Sequence, residues 1–340
     1  MRKFSSFIGG RVVKTGIAVF LTALICQWLH WPAVFAVITA IANIEPTARD
    51  SIKKSLVRFP ASAIGAAYAV IFIALFGNSP ISYTAAAVLT IITCYKLNLH
   101  AGLLVATLTS VAMIEVIQSN FFASFFIRLG TTTTGLVVST LVNIFIFPPQ
   151  YGTKITMNLL SLREKMREAL VAVMNIILNG HKDNGQTEAI FADLTANLEK
   201  TERLLQFQEA EWQYHRYTEA ERKNFYREKE LLHAIRQIHY HLSNLLDISK
   251  EKMNWEPAEK EQLKRITTFI MKAIEYPHKM QLDAYRDQIV QLTQILQPPN
   301  RDYKEGQNFF TPNWFVIYEW IFIYTLVVNF HTIIHADDKE

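Results

Sequence analysis

Cysteine is scarce. The 340 residues hold two, Cys26 and Cys94, both inside apolar runs, which excludes a disulfide scaffold and a thiolate zinc site. Acid is nearly missing from the first 150 positions, where only Glu45, Asp50 and Glu115 stand against ten Lys and Arg. Charged residues make up 19% of the whole, against about 25% in soluble domains. There is no collagen period and no low-complexity tract. No Walker sequence, G-x-G-x-x-G or G-x-S-x-G occurs, so neither nucleotide-driven chemistry nor a serine hydrolase is expected. His215, His233, His239 and His241 lack the i, i+4 spacing with a carboxylate that a zinc protease needs, so we expect no enzyme, no metal and no cofactor.

What is present divides the chain in two. Residues 1–150 carry a net +7 and eight of the twelve glycines; the remainder carries −3, together giving the overall +4. The first part contains apolar runs at 16–29 (extended at its near end by Val12 and Val13), 31–44, 59–76, 81–95, 99–117 and 121–147. A span needs about 20 apolar residues, with a range of roughly 17–25, so these runs predict six crossings in three hairpins. The first run has no small-residue cleavage site and leads directly into more apolar sequence, unlike a signal peptide. Arg2, Lys3, Arg11 and Lys14 precede the first run; Arg49, Lys53, Lys54 and Arg58 follow the second; Lys96 follows the fourth. The other three connections, at His30-Trp31, Gly77–Pro80 and Gln118–Asn120, lack Lys and Arg. The positive-inside rule therefore places the N-terminus and everything after Pro148-Pro149 in the cytoplasm. The sequence pI near 8.9 comes from charge flanking apolar segments, so anionic lipid rather than nucleic acid is the expected partner. Ala61, Gly65 and Ala69, and more weakly Gly130 and Thr134, form small-residue faces that serve either bundle packing or a homo-oligomer seam.

Residues 150–340 read as a helical domain. Ile155, Leu159, Leu162, Met166, Leu170, Val173 and Ile177 repeat every three to four positions, the period of an amphipathic helix. Asn179-Gly180 signals its end. Thr218-Glu219-Ala220-Glu221 fits a capping box, and the helix after it carries Leu231, Ile235, Ile238, Leu242 and Leu245 on one face. Pro257 starts another helical region, Pro277 kinks or divides it, and Pro298-Pro299 ends it. The expected fold is all-α: a six-helix transmembrane bundle at 1–149, then a cytosolic antiparallel helical bundle at 150–340. The apolar segment 313–334, opened by Thr311-Pro312, is long enough for a seventh crossing. Glu319, Thr325, Asn329 and Thr332 approximate a polar strip, so a core or surface helix is the preferred reading. Glu209-Ala210-Glu211-Trp212 reads as solvated helix surface.

The segments Arg11–Gly16 and Pro32–Ala40, and the set Glu45-Pro46-Thr47, Ser51-Ile52 and Arg58, resemble the aromatic acid exporter family, relatives of fusaric-acid-resistance transporters. Six spans followed by a cytosolic helical domain resemble its short form. The chain departs where the loop arginine is usually followed by glycines: it reads Arg58-Phe59-Pro60, and only Gly65 remains. The resemblance implies a multi-pass protein of a bacterial cell membrane that exports small aromatic or other organic carboxylates, driven by the proton gradient.

Ionisable groups inside spans are functional candidates by default. Glu115 near the end of the fifth span and Arg128 two turns into the sixth either pair across the hairpin or serve transport. In transport, Arg128 clamps a substrate carboxylate and Glu115 carries the coupled proton. Arg128 snorkelling to the interface is a third reading. Asn43, Glu45, Thr47 and Arg58 form either a site at a Pro-interrupted span or a rigid turn, with Pro46 as stop, Thr47 or Asp50 as cap and Arg58 on lipid phosphate. Thr131–Thr134 return hydrogen bonds within their helix, or Thr131 and Thr134 line a passage beside Arg128. Trp28, Trp31 and Tyr83 read as interface anchors. Alternatives to an exporter are a passive organic-anion channel and a non-transporting scaffold that recruits partners through the bundle.

Overall fold

The computed structural model describes residues 10–116, 120–146, 151–179, 185–212, 214, 217–248, 253, 255–275, 290 and 312–335, with side chains described up to residue 329. Arg2, Lys3, Gln118, Ser119, the Pro148-Pro149 boundary, Gly180, His215, Pro277, Pro298-Pro299 and Thr311 lie outside that set, as does the side chain of Thr332. All regular structure among the described residues is helical. The chain divides into two compact units, Met1–Gln150 with Phe207–Arg216, and Tyr151–Gln206 with Tyr217–Glu340.

In the first unit the helices are α1 (Gly10–Trp28), α2 (Ala33–Asn43), α3 (Ala48–Phe76), α4 (Pro80–Lys96), α5 (Leu103–Val116) and α6 (Phe121–Phe145), with a 3-10 turn at His100–Gly102. Central α3 packs against α4, α5 and α6, while α6 also packs against α1 and α2. His30 and Asn98 take positive φ of 56°. Each closes a helix by a bond back over five residues, Trp31 N to Cys26 O at 2.9 Å and Leu99 N to Cys94 O at 2.8 Å, so α1–α2 and α4–α5 reverse within a few residues.

Two boundaries differ from the sequence reading. The basic stretch Arg49–Arg58, expected as a connection, is the first third of α3. Thr47 is the cap, its Oγ1 accepting from Asp50 N at 3.0 Å, and Pro60 is carried inside the helix. In turn α2 has 11 residues, about 16 Å at 1.5 Å per residue and roughly half the hydrocarbon thickness.

By length and composition α1, α3 and α6 can cross a membrane, and the segments Ala33–Asn43 and His100–Val116 are apolar but shorter. The polarity of the unit is inverted relative to a soluble domain. Phe20, Leu24, Val34, Leu75, Leu104, Phe122 and Phe145 are exposed, whereas Thr22, Thr39, Asn43, Ser62, Thr109, Arg128, Thr132, Ser139 and Asn143 are buried. An apolar exterior around a polar interior is what hydrocarbon solvent selects.

Helix contact in this interior is close because the facing residues are small. A Cβ on Gly65 would stand 2.3 Å from Ala106 O, and one on Gly135 2.4 Å from Ala36 O. Cys94 packs with Ala61 and Ala106. The small-residue face of α3 thus seats α5 within the same chain. Gly130 leaves the space that the Trp31 ring fills, at 2.5 Å from where its Cβ would be; Trp31 is a packing residue rather than a free anchor, while Trp28 remains 84% exposed.

The second unit holds α7 (Tyr151–Asn179), α8 (Gln186–Glu211, whose last residues belong to the first unit), α9 (Glu219–Ile248), α10 (Pro257–Glu275) and α11 (Pro312–His335). All seven apolar residues predicted for the α7 stripe are buried. On α9 Ile235, Ile238, Leu242 and Leu245 are buried as predicted, with Leu232 in place of Leu231. The capping box at its start is formed, with Thr218 N donating to Glu221 Oε2 at 2.7 Å and Glu221 N to Thr218 Oγ1 at 3.3 Å. Helix α11 packs on α9 and α10, burying Val316, Trp320 and Ile323 completely. Glu319 is buried as well, accepting from Asn244 Nδ2 at 2.9 Å and pairing with His241 Nδ1 at 2.5 Å. Segment 313–334 is therefore a core helix of this unit; of its polar residues Glu319 faces inward, whereas Thr325 and Asn329 are exposed.

Glu228 is buried on α9 and accepts from Thr156 Oγ1 of α7. Burial pushes its carboxyl above the usual range, and the Thr156 hydroxyl, Arg227 and Asn224 offset this only in part. An acid whose folded pKa is raised stabilises the fold least once pH exceeds that pKa, since the folded state must then bury the charge or hold the proton. Glu228→Gln keeps an acceptor for Thr156 without the charge. It is expected to raise the melting temperature of the full chain relative to wild type at pH 8, with the gain shrinking toward pH 5.

Candidate functional site

Among the described residues, the first unit contains two buried arginines with opposite circumstances. Arg128, on α6, is 5% exposed. Its guanidinium lies 4.2 Å from the centroid of the Phe35 ring of α2, within cation–π range. Its Nη2 donates to Thr109 Oγ1 of α5. Nε and Nη1 are buried with no hydrogen-bond partner. A guanidinium carries five N–H donors in a planar fork, so much of this fork is unfilled.

Glu115 does not pair with Arg128. It is exposed at the end of α5 and accepts from Tyr83 Oη of α4. Counted from the α5–α6 connection, Arg128 lies level with Ser110 and Thr109, and its side chain takes that level instead of reaching toward the loop. The expected hairpin pair, and proton coupling by direct contact between these residues, are thus not supported by the geometry. Tyr83 is a partner of Glu115 rather than a free anchor.

The threonine run divides by face. Thr131 Oγ1 donates to Arg128 O at 2.9 Å, Thr133 to Leu129 O at 2.8 Å and Thr134 to Gly130 O at 2.9 Å, all bonds within the helix. Thr132 instead faces Ser62 Oγ of α3 at 3.1 Å, and Ser62 is 3.4 Å from Thr109 Oγ1. A line of buried hydroxyls thus leads from Arg128 into α3.

One turn back along α3 from Ser62 is Arg58, 8% exposed and fully engaged. Its Nη1 donates to Asn43 Oδ1 at 2.8 Å, Nη2 to Glu45 Oε1 at 2.8 Å and Nε to Ala101 O at 3.2 Å. The second oxygen of Glu45 takes Lys54 Nζ at 2.8 Å. Burial pushes the Glu45 carboxyl up, but the hydrogen bonds and charges of Lys54 and Arg58 outweigh it and hold it below the usual range. Asn43, Glu45 and Arg58 thus meet as the sequence suggested, with Thr47 as the adjoining cap; Arg58 points inward, not to lipid phosphate.

Sequence reasoning missed the residues that surround this cluster. Asn143 of α6 takes Lys14 Nζ on Oδ1 at 2.8 Å and shares Nδ2 among Glu45 O, Thr47 O and Ser51 Oγ at 3.1, 3.1 and 2.8 Å. Asn43 Nδ2 reaches Ser139 Oγ and Thr140 Oγ1, both at 3.0 Å, and Ser55 Oγ donates to Asn43 Oδ1 at 3.0 Å. Glu211, read as solvated surface, is fully buried and accepts from Ala48 N at 2.6 Å. An acid there stabilises the first turn of α3, whose amides lack helical partners. The sequence signal for Lys14 and Asn143 is an ammonium at the edge of one apolar run and an amide inside another.

Residues 6–146 match the model of aromatic acid exporter family member 1. The chain is 48% identical to a UPF0421 protein of Oceanobacillus iheyensis over 86% of its length and 85% of the relative's. It is 47% identical to a UPF0421 protein of Bacillus cereus over 76% and 74%, and 36% identical to one of Staphylococcus haemolyticus over 95% and 97%. The apolar-out unit agrees with a membrane protein, and the chain belongs to the aromatic acid exporter family.

Proposed function

We propose that this protein is a secondary exporter of small aromatic or related organic carboxylates, proton-coupled, with six crossings and with both its N-terminus and residues 150–340 in the cytoplasm. The observation that carries the reading is Arg128. A guanidinium buried with two nitrogens unpartnered is costly, and no acidic side chain bonds to it among the described residues. A transient carboxylate satisfies it bidentately. Phe35 and Trp31 supply apolar and aromatic surface nearby, suited to a ring attached to that carboxylate.

A scaffold has no use for an unfilled arginine in its interior, which favours transport over that alternative. Exporter and channel differ in energetics. The test is a deletion strain challenged with a panel of aromatic carboxylates and rescued by wild type or by Arg128→Ala. Rescue by wild type, its loss in Arg128→Ala and its loss on collapse of the proton gradient are the expected results. Export that survives the collapse favours the channel, and indifference to every compound favours the scaffold. Homo-oligomer formation is compatible with this reading but not required by it.

A further inference from the structure

The two arginines carry the same chemistry, yet one is unfilled and the other holds a carboxylate belonging to the chain itself. Glu45 lies on residues 44–47, the non-helical link between the C-terminus of α2 and the Thr47 cap of α3. Its side chain is 10% exposed and that of Arg58 9%, so the pair plugs the interior at this end of the unit. Beyond the plug, the polar line continues one helical turn, about 6 Å, from Arg58 to Ser62. From there it runs by hydroxyls to Thr109 and Thr132 and so to Arg128.

We propose that Arg58 is a second carboxylate-binding station and that Glu45 is its tethered competitor: a transported carboxylate enters by displacing Glu45 from Arg58, then passes along Ser62 and Thr109 to Arg128. This rests on the reading of Arg128 as the central station. Glu45 is suited to the exchange because its second oxygen already bonds Lys54, which is 39% exposed. A displaced Glu45 therefore keeps a cation and swings toward solvent on a link without helical bonds of its own. Arg58 loses one carboxylate and gains another, so no unpaired charge is left buried during the step.

The test uses the full chain in nanodiscs with benzoate as probe, binding being measured by calorimetry. A competitor that holds the entrance closed most of the time lowers apparent affinity by the fraction open, so Glu45→Gln is expected to tighten benzoate binding about tenfold, while Arg128→Met abolishes it. Wild-type affinity in Glu45→Gln, with binding lost in Arg128→Met, overturns the competitor and keeps the central station. Tightening in Glu45→Gln with undiminished binding in Arg128→Met overturns the central station and leaves Arg58 as the site. Should Glu45→Gln fail to fold, the wild type decides by hydrogen exchange. Faster exchange of the amides of Ile44, Glu45, Thr47 and Ala48 on adding benzoate supports displacement, and unchanged exchange overturns it.

Discussion

Arg128→Met is expected to abolish carboxylate transport and at the same time make the protein more stable. The two effects have one cause. Among the described residues Arg128 is held by a hydroxyl and an aromatic face, with Nε and Nη1 buried and unpartnered. Replacing a poorly compensated buried charge with an apolar side chain of similar length gains about 1–4 kcal/mol in comparable cases. Met also keeps contact with the Phe35 ring. Loss of a buried charge-paired contact to substrate costs about 2–5 kcal/mol, and so at least about thirtyfold in affinity. Transport of labelled benzoate into proteoliposomes, read beside the melting temperature of the empty protein, checks both. A melting temperature lowered along with transport would mean that Arg128 is structural and that its partners outweigh its burial. Arg128→Lys separates fork from charge: an ammonium cannot present two parallel N–H groups to a carboxylate, so about a tenfold loss is expected.

How far the sequence foretold this arrangement depends on which physical signal carried each part. The helical character and the α7 stripe follow from apolar periodicity, which needs no knowledge of partners. The Thr47 cap is legible from Pro46 before it and the good helix formers after it, whereas the apolar run beginning at Phe59 does not show that the basic residues Arg49–Arg58 share its helix. The Arg128–Glu115 pair failed for a geometric reason. Sequence separation gives depth along a hairpin but not the azimuth of a side chain, and Thr109 shares depth with Arg128 where Glu115 does not. Asn43, Glu45 and Arg58 were found together because Pro46 and a short span mark an interrupted helix, a local signal. Glu211 was missed because its contact spans 163 positions, and nothing in Glu209-Ala210-Glu211-Trp212 reports a distant amide.

The largest loss of stability is expected at Asn143. Its amide bonds α1, the α2–α3 link and α3 from α6 at once, through Lys14, the carbonyls of Glu45 and Thr47, and Ser51. Lys14 is 6% exposed, and its bonds are to Asn143 Oδ1 and to the Asn143 carbonyl at 3.2 Å. Asn143→Leu keeps the branched side-chain shape but removes an acceptor from a buried ammonium and a donor from two carbonyls. Breaking a buried charged contact from one side costs about 3–5 kcal/mol, and each polar group left unsatisfied adds about 1–3 kcal/mol. Together these approach the whole stability of a typical domain. Asn143→Leu should therefore melt well below wild type or fail to accumulate in the membrane. Lys14→Met in the same chain should restore part of the loss, since the charge that most needs Asn143 is then gone. The coupling is read from the four melting temperatures of the double-mutant cycle. Additive losses would show that Asn143 acts on the α2–α3 link alone and that Lys14 does not depend on the Asn143 side chain. Coupling would instead make Asn143 the joint that holds α1 and α6 to the link bearing Glu45, so that any motion freeing Glu45 from Arg58 has to leave this joint intact.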